Sequence, residues 1–161
     1  MLTVMLIAGG LLVVTVVLHA AGFAALLRAV VRLRLLTRSG LLHVTASMVG
    51  LTFGLILIHL VDISVWGLFY FWQGCLRDAK DAFYFSGVTY SSLGYGDVVL
   101  PRAWRMLAPI ETLTGILMCG LSGGLFFAAV SRWISNWRQS ATASAPHSAE
   151  PRLPRGTERH R

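Results

Sequence analysis

Residues 89–97 read Thr-Tyr-Ser-Ser-Leu-Gly-Tyr-Gly-Asp. Gly94 and Gly96 flank Tyr95, Ser91 and Ser92 place hydroxyls just before them, and Asp97 places a carboxylate just after. Glycine reaches positive φ without steric penalty, so such a backbone can set successive carbonyls on one side. Carbonyls stacked in that way replace the hydration shell of a bare cation. A full carboxylate at every position would hold the ion too tightly for it to leave. The carbonyls of Ser92, Leu93, Gly94 and Tyr95 are the candidate ligands. Gly96 completes the loop, and the Ser92 hydroxyl is placed to finish the innermost site. Asp97 would raise the local cation concentration at the mouth.

Few other residues offer chemistry. Asp62 and Glu111 fall inside apolar blocks, where a charge costs about 3 kcal/mol or more and normally faces protein. His59 and Asp62 are three apart and share a helix face. They are read either as a polar contact or as a pH-sensing pair. Glu111 is read either as support for the 89–97 loop or as a polar contact between helices. The run from Gly120 to Gly124 fits the hydrolase pattern G-x-S-x-G, but that pattern needs a strand-to-helix elbow. Here it lies within a helical apolar block, so it is a chance match and no enzyme is expected. Cys75 and Cys119 have no zinc spacing. Cys119 reads as a small packing residue, and Cys75 could meet its counterpart in a second chain.

The elements that must hold the loop are legible as blocks. The chain has 161 residues, 55% hydrophobic and 13% charged, with a mean hydropathy of +0.66. Residues 2–27 contain no Lys, Arg, Asp or Glu. They lack the basic start and short apolar core of a signal peptide, so a retained span is expected, with a cleaved leader as the alternative. Residues 44–72 form a second block, ending in Trp66, Phe69, Tyr70, Phe71 and Trp72, an aromatic cluster suited to a membrane interface. Residues 82–90 are apolar but too short to cross a bilayer, which predicts a re-entrant helix over about 81–91, capped by Asp81. The carbonyl end of that helix would favour a cation below it. A third block covers about 104–134. The organisation expected is an N-terminal span over 1–27, a basic cytoplasmic loop over 28–43, a module of two spans and a short helix over 44–137 and a disordered tail over 138–161.

The net charge of +7 comes from 14 Lys and Arg against 7 acids. Arg28, Arg32, Arg34 and Arg38 follow the first block, and Arg132 to Arg161 follow the third. Basic residues beside apolar blocks mark membrane topology and not nucleic-acid binding, so membrane lipid is the expected surrounding. With both basic patches cytoplasmic, the N-terminus lies outside, the C-terminus inside, and the 89–97 loop near the outer face.

With its hydroxyls, its preceding short apolar segment and its two enclosing spans, the Gly-Tyr-Gly-Asp loop resembles the selectivity filter of bacterial two-helix-pore potassium channels. The likeness covers about residues 44–137, with an additional span before it. It implies an all-α membrane protein of three transmembrane helices per chain, with a re-entrant pore helix and filter loop between the second and third. It implies a homotetramer, because one chain carries one filter, and potassium ions in the filter with no other cofactor. The third helix would line the cavity with Thr112, Ile116, Cys119, Gly123 and Phe127. Gly115 and Gly120 would serve as hinge or packing residues, and Phe127 as a hydrophobic constriction. Ser91 and Glu111 would support the filter, Val88 occupying the position where many members carry a carboxylate. The Tyr95 side chain would turn from the axis and pack against the pore helix. The implied function is passive potassium conduction, in a bacterial inner membrane by analogy. A weakly selective cation channel and a non-conducting regulatory subunit are the alternatives, since Ser91, Ser92 and Leu93 stand where most members have Thr-Thr or Thr-Val.

Overall fold

The structure, a computed structural model, describes residues 2–32 and 41–143. Four helices account for nearly all regular structure among them: α1 (Leu2–Arg32), α2 (Leu41–Trp72), α3 (Ala79–Tyr90) and α4 (Leu107–Ala143). No strand occurs among the described residues. α1, α2 and most of α4 are long and apolar enough to cross a membrane. The chain is therefore an all-α integral membrane protein with three candidate spans. α3 has 12 residues, about 18 Å at 1.5 Å per residue, too short to cross.

Several boundaries differ from those read off the sequence. α1 continues past residue 27 through Arg32, and α2 begins at Leu41. The Arg-rich connection is thus shorter than 28–43, and Arg34 and Arg38 lie outside the described residues. α4 starts at Leu107 instead of near Trp104, because residues 102–106 form turns after Pro101. Pro109 sits in the first turn of α4, where its missing N–H costs nothing. At the other end α4 runs through Ala143, into the segment expected to be tail; the rest of that tail lies outside the described residues. The N-cap of α3 is Asp78, not Asp81. The Asp78 backbone is extended and its carboxylate accepts from the Lys80 amide at 3.0 Å. Asp81 falls in the first helical turn, where its charge suits the helix dipole.

Two apolar clusters lie at different heights. One gathers Ala8 of α1, Trp66 and Tyr70 of α2, Phe85 of α3 and Leu107 of α4. The other joins Val30 of α1 to Leu51, Leu55 and Ile58 of α2 and to Ala129 and Trp133 of α4. The expected aromatic belt is thereby divided. Trp72 is 90% exposed, whereas Trp66 and Tyr70 are fully buried. Both have polar tips that need partners inside the protein. Trp66 Nε1 donates to Thr15 Oγ1 of α1 at 3.1 Å, and Tyr70 reaches Glu111. Cys75 is buried in the first cluster, which pushes its thiol pKa up and withdraws it from any second chain. Cys119 is exposed, contrary to a packing role within the chain.

Small residues set the closest approaches. Gly67 lets α2 pass against Phe83 of α3, and Gly115 lets α4 pass against Tyr90 at the end of α3. A Cβ on Gly115 would overlap the Tyr90 carbonyl oxygen, a backbone atom that cannot swing aside. Gly115 thus has a packing role. Outside its own stretch of helix, no atom of the described residues lies within 4 Å of a Cβ built on Gly120. Gly115→Ala is expected to lower stability by about 1–3 kcal/mol, as overpacking does. Gly50→Ala, with nothing near the added carbon, should be neutral or slightly stabilising. Thermal unfolding of the two variants in detergent checks this.

Candidate functional site

The loop after α3 is built from the helix end outward. The Val88 carbonyl accepts from the amides of both Leu93 (2.9 Å) and Gly94 (3.1 Å), and the Thr89 carbonyl from Ser92 (3.0 Å). Ser91 caps the helix, its hydroxyl donating to the Gly87 carbonyl at 2.7 Å. Thr112 of α4 donates to the Thr89 carbonyl at 3.1 Å and is half-buried. The last carbonyls of α3 are therefore largely occupied by the loop and by α4, which fixes the loop but leaves fewer of them bare than the sequence suggests.

Beyond that anchor, Ser92, Gly94 and Gly96 have φ of 64°, 54° and 78°, while Leu93 and Tyr95 between them do not have positive φ. An alternation of hand is what a backbone needs if its successive carbonyls are to face one side. Glycine adopts it freely at 94 and 96. Ser92 carries a cost of about 1–2 kcal/mol for a left-handed L-residue. The Tyr84 hydroxyl of α3 donates to Asp97 Oδ2 at 2.7 Å and holds that carboxyl below its usual range. The negative charge at the loop exit thus persists to lower pH than in an unassisted carboxylate, and is lost as pH falls through the lowered pKa. Tyr95 is 68% exposed, so its ring is not enclosed by its own chain.

Behind the loop, α3 is held by two buried carboxylates. Glu111 of α4 accepts from the Tyr70 hydroxyl at 2.7 Å and lies 2.5 Å from Ser86 Oγ, which also reaches the Ile63 carbonyl at 2.8 Å. Asp62 of α2 accepts through one oxygen from the Tyr90 hydroxyl at 2.9 Å and pairs with His19 Nδ1 of α1 at 2.7 Å. Ser86 and Tyr90 are four apart and so lie on one face of α3. That face is stapled at successive turns, by α4 at one and by α2 with α1 at the next. Tyr90 immediately precedes Ser91.

The expected His59–Asp62 contact takes a different form. His59 Nδ1 lies 3.1 Å from the Tyr90 hydroxyl, and the direct partner of Asp62 is His19. Sequence reasoning missed His19, Tyr90 and Tyr70. The available signal was that His19 is the one strongly polar side chain in an otherwise uncharged span, and such a group must find a partner.

On α4, Ile116, Cys119, Gly123 and Phe127 are exposed on the single chain, Phe127 to 73%. Together with the loop they form a surface that α1, α2 and α3 leave open.

A family model described as "Ion channel" matches residues 46–135, more than half of the chain. The chain belongs to this ion-channel family. The match runs from the start of α2 through α3 and the 91–97 loop into α4, so the family domain is the two-span pore module with its short intervening helix. α1 lies outside it, yet supplies His19 and Thr15 to its interior. Searches among curated proteins and among solved structures returned no match.

Removing Glu111 tests the first staple. Glu111→Ala leaves the Tyr70 and Ser86 hydroxyls buried without their carboxylate, at about 1–3 kcal/mol for each group left unpaired. Glu111→Gln keeps an acceptor and should cost less. Chemical or thermal unfolding in detergent gives the order wild type, Glu111→Gln, Glu111→Ala.

Proposed function

We propose that the chain forms a potassium-selective channel, conducting passively through a homotetrameric pore whose filter is built from residues 92–97 of four copies. The observation that carries this reading is the loop itself. A Ser-Leu-Gly-Tyr-Gly-Asp sequence follows a short helix between two spans, and its φ alternates in hand at Ser92, Gly94 and Gly96. The backbone carbonyls of Ser92, Leu93, Gly94 and Tyr95 would coordinate K+, with Gly96 and Asp97 at the outer mouth. Neutral carbonyls bind a cation firmly enough to admit it and weakly enough to release it. A loop of one chain lines only a fraction of such a path, and cyclic symmetry completes it. The exposed face of α4, with Ile116, Cys119 and Phe127, would then line the cavity, Phe127 acting as a dewetting constriction and Gly120 as a hinge. Ser91 and Glu111 hold the filter from behind. The N-terminus would lie outside and the C-terminus in the cytoplasm of a bacterial inner membrane, following the basic residues.

One observation favours a second reading. The non-glycine Ser92 at positive φ strains the innermost site, which fits a weakly selective cation pore.

Rubidium uptake into liposomes holding the purified protein tests both. The potassium reading predicts rubidium uptake far above sodium uptake, from particles of four-fold symmetry. Equal sodium uptake supports the second reading, and no flux from a non-tetrameric particle contradicts both. Gly94→Ala should insert normally, since beyond its chain neighbours no atom of the described residues lies within 4 Å of the added carbon. It should lose selective flux, because φ +54° disfavours any L side chain.

A further inference from the structure

Asp62 is fully buried, and its hydrogen bonds are unevenly divided. Oδ2 faces both His19 Nδ1 and the Tyr90 hydroxyl, while Oδ1 has no partner. An unpartnered buried carboxylate oxygen is costly, and it points to a missing cation or donor. Around it stand two imidazoles. One ligating atom each from His19, His59 and Asp62 lie within 4.8 Å of one another.

The surrounding network prepares both rings for a metal. Tyr90 has one hydroxyl proton, and the carboxylate of Asp62 can only accept it. His59 Nδ1 must then donate to the Tyr90 oxygen, leaving Nε2 with a free lone pair. His19 presents Nδ1 to Asp62 at 2.7 Å and Nε2 to the Ser122 hydroxyl of α4 at 3.3 Å, so a metal shared with Asp62 takes the Nδ1 lone pair in place of that hydrogen bond while Nε2–H donates to Ser122. These tautomers follow from the bonding pattern. An imidazole whose far N–H is held by a carboxylate or hydroxyl is the arrangement that orients metal-binding histidines.

We infer that His19, His59 and Asp62 form a binding site for a first-row transition-metal dication such as Zn2+, joining α1 to the pore module behind the foot of α3. Two imidazoles and a carboxylate suit zinc and its neighbours, and not potassium, magnesium or calcium. Bonds of about 2.0–2.2 Å place tetrahedral ligands about 3.4 Å apart, so the widest-spaced atoms close in by up to about 1.4 Å on binding, while His19 Nδ1 and Asp62 Oδ2, 2.7 Å apart, open out. A water completes four ligands. His59, the half-buried member, is the side from which the ion enters. Bound there, the metal would fix the partners of Tyr90, the residue before Ser91, and so bear on the loop that follows.

The site is tested by Co2+ titration of tag-free, full-length protein in nanodiscs, read by visible absorption and by the shift in thermal unfolding with metal concentration. One Co2+ per chain is expected, with the spectrum of a low-coordinate centre and displacement by Zn2+. His59→Gln and Asp62→Asn should each weaken binding at least tenfold. Both are near-isosteric, and Asp62→Asn retains an acceptor for Tyr90, so monodisperse elution and helical circular dichroism confirm folding. A variant lacking His43, His147 and His160 should bind as the wild type does. Absence of binding at millimolar Co2+, or unchanged affinity in folded Asp62→Asn or His59→Gln, overturns the site and leaves a plain buried hydrogen bond between His19 and Asp62. The readout does not require conduction, so it stands or falls independently of the channel reading.

Discussion

The fold turns on a carboxylate that has been taken out of water. Asp62 sits in a span with no solvent contact, and an ion there must recover its lost hydration from protein groups. It does so from two other helices, His19 of α1 and Tyr90 of α3. Removing one partner of such a pair costs about 3–5 kcal/mol, because the other is left uncompensated. The pair therefore specifies where α1 docks. Lipid tails are as apolar as leucine, so greasy surface alone gives α1 little reason to choose a face. A histidine seeking its carboxylate, and a threonine accepting from Trp66, do give it one. The polar layer lies between the two apolar clusters, flanked along α1 by Ala8 and Val30 and along α4 by Leu107 and Ala129.

Glu111 repeats the principle one turn earlier in α3. The short helix has only 12 residues, and its face bearing Ser86 and Tyr90 meets a buried carboxylate at each. A helix so short is marginal alone; here α2 and α4 hold it from two sides, and the filter-like loop begins at its end. The constraint passes from Asp62 and Glu111, through the serine and tyrosine hydroxyls, to the Val88 carbonyl that gathers the Leu93 and Gly94 amides.

Much of this was legible in the residues. Three apolar blocks announced the spans, a block too short to cross announced α3, and glycines at 94 and 96 announced a backbone of unusual hand. Glu111 drew notice because an acid in a span needs a reason. What could not be read was partnership. His19 and Asp62 are 43 positions apart, and nothing in periodicity pairs them. Trp66 and Tyr70 looked like belt residues because composition cannot separate an aromatic at an interface from one buried with its polar tip satisfied. Asp78 and Asp81 both suit a helix start, and only the extended backbone at Asp78 decides between them. The role of Gly115 emerged from the proximity of the Tyr90 carbonyl, a contact across 25 residues.

The central claim is that backbone carbonyls of the 92–95 segment select potassium. Its most direct measurement is the reversal potential of purified protein in a planar bilayer with potassium on one side and sodium on the other. A selective filter predicts a reversal potential close to the potassium limit, strongly displaced from zero. A reversal potential near zero, with both ions carrying current, would contradict it.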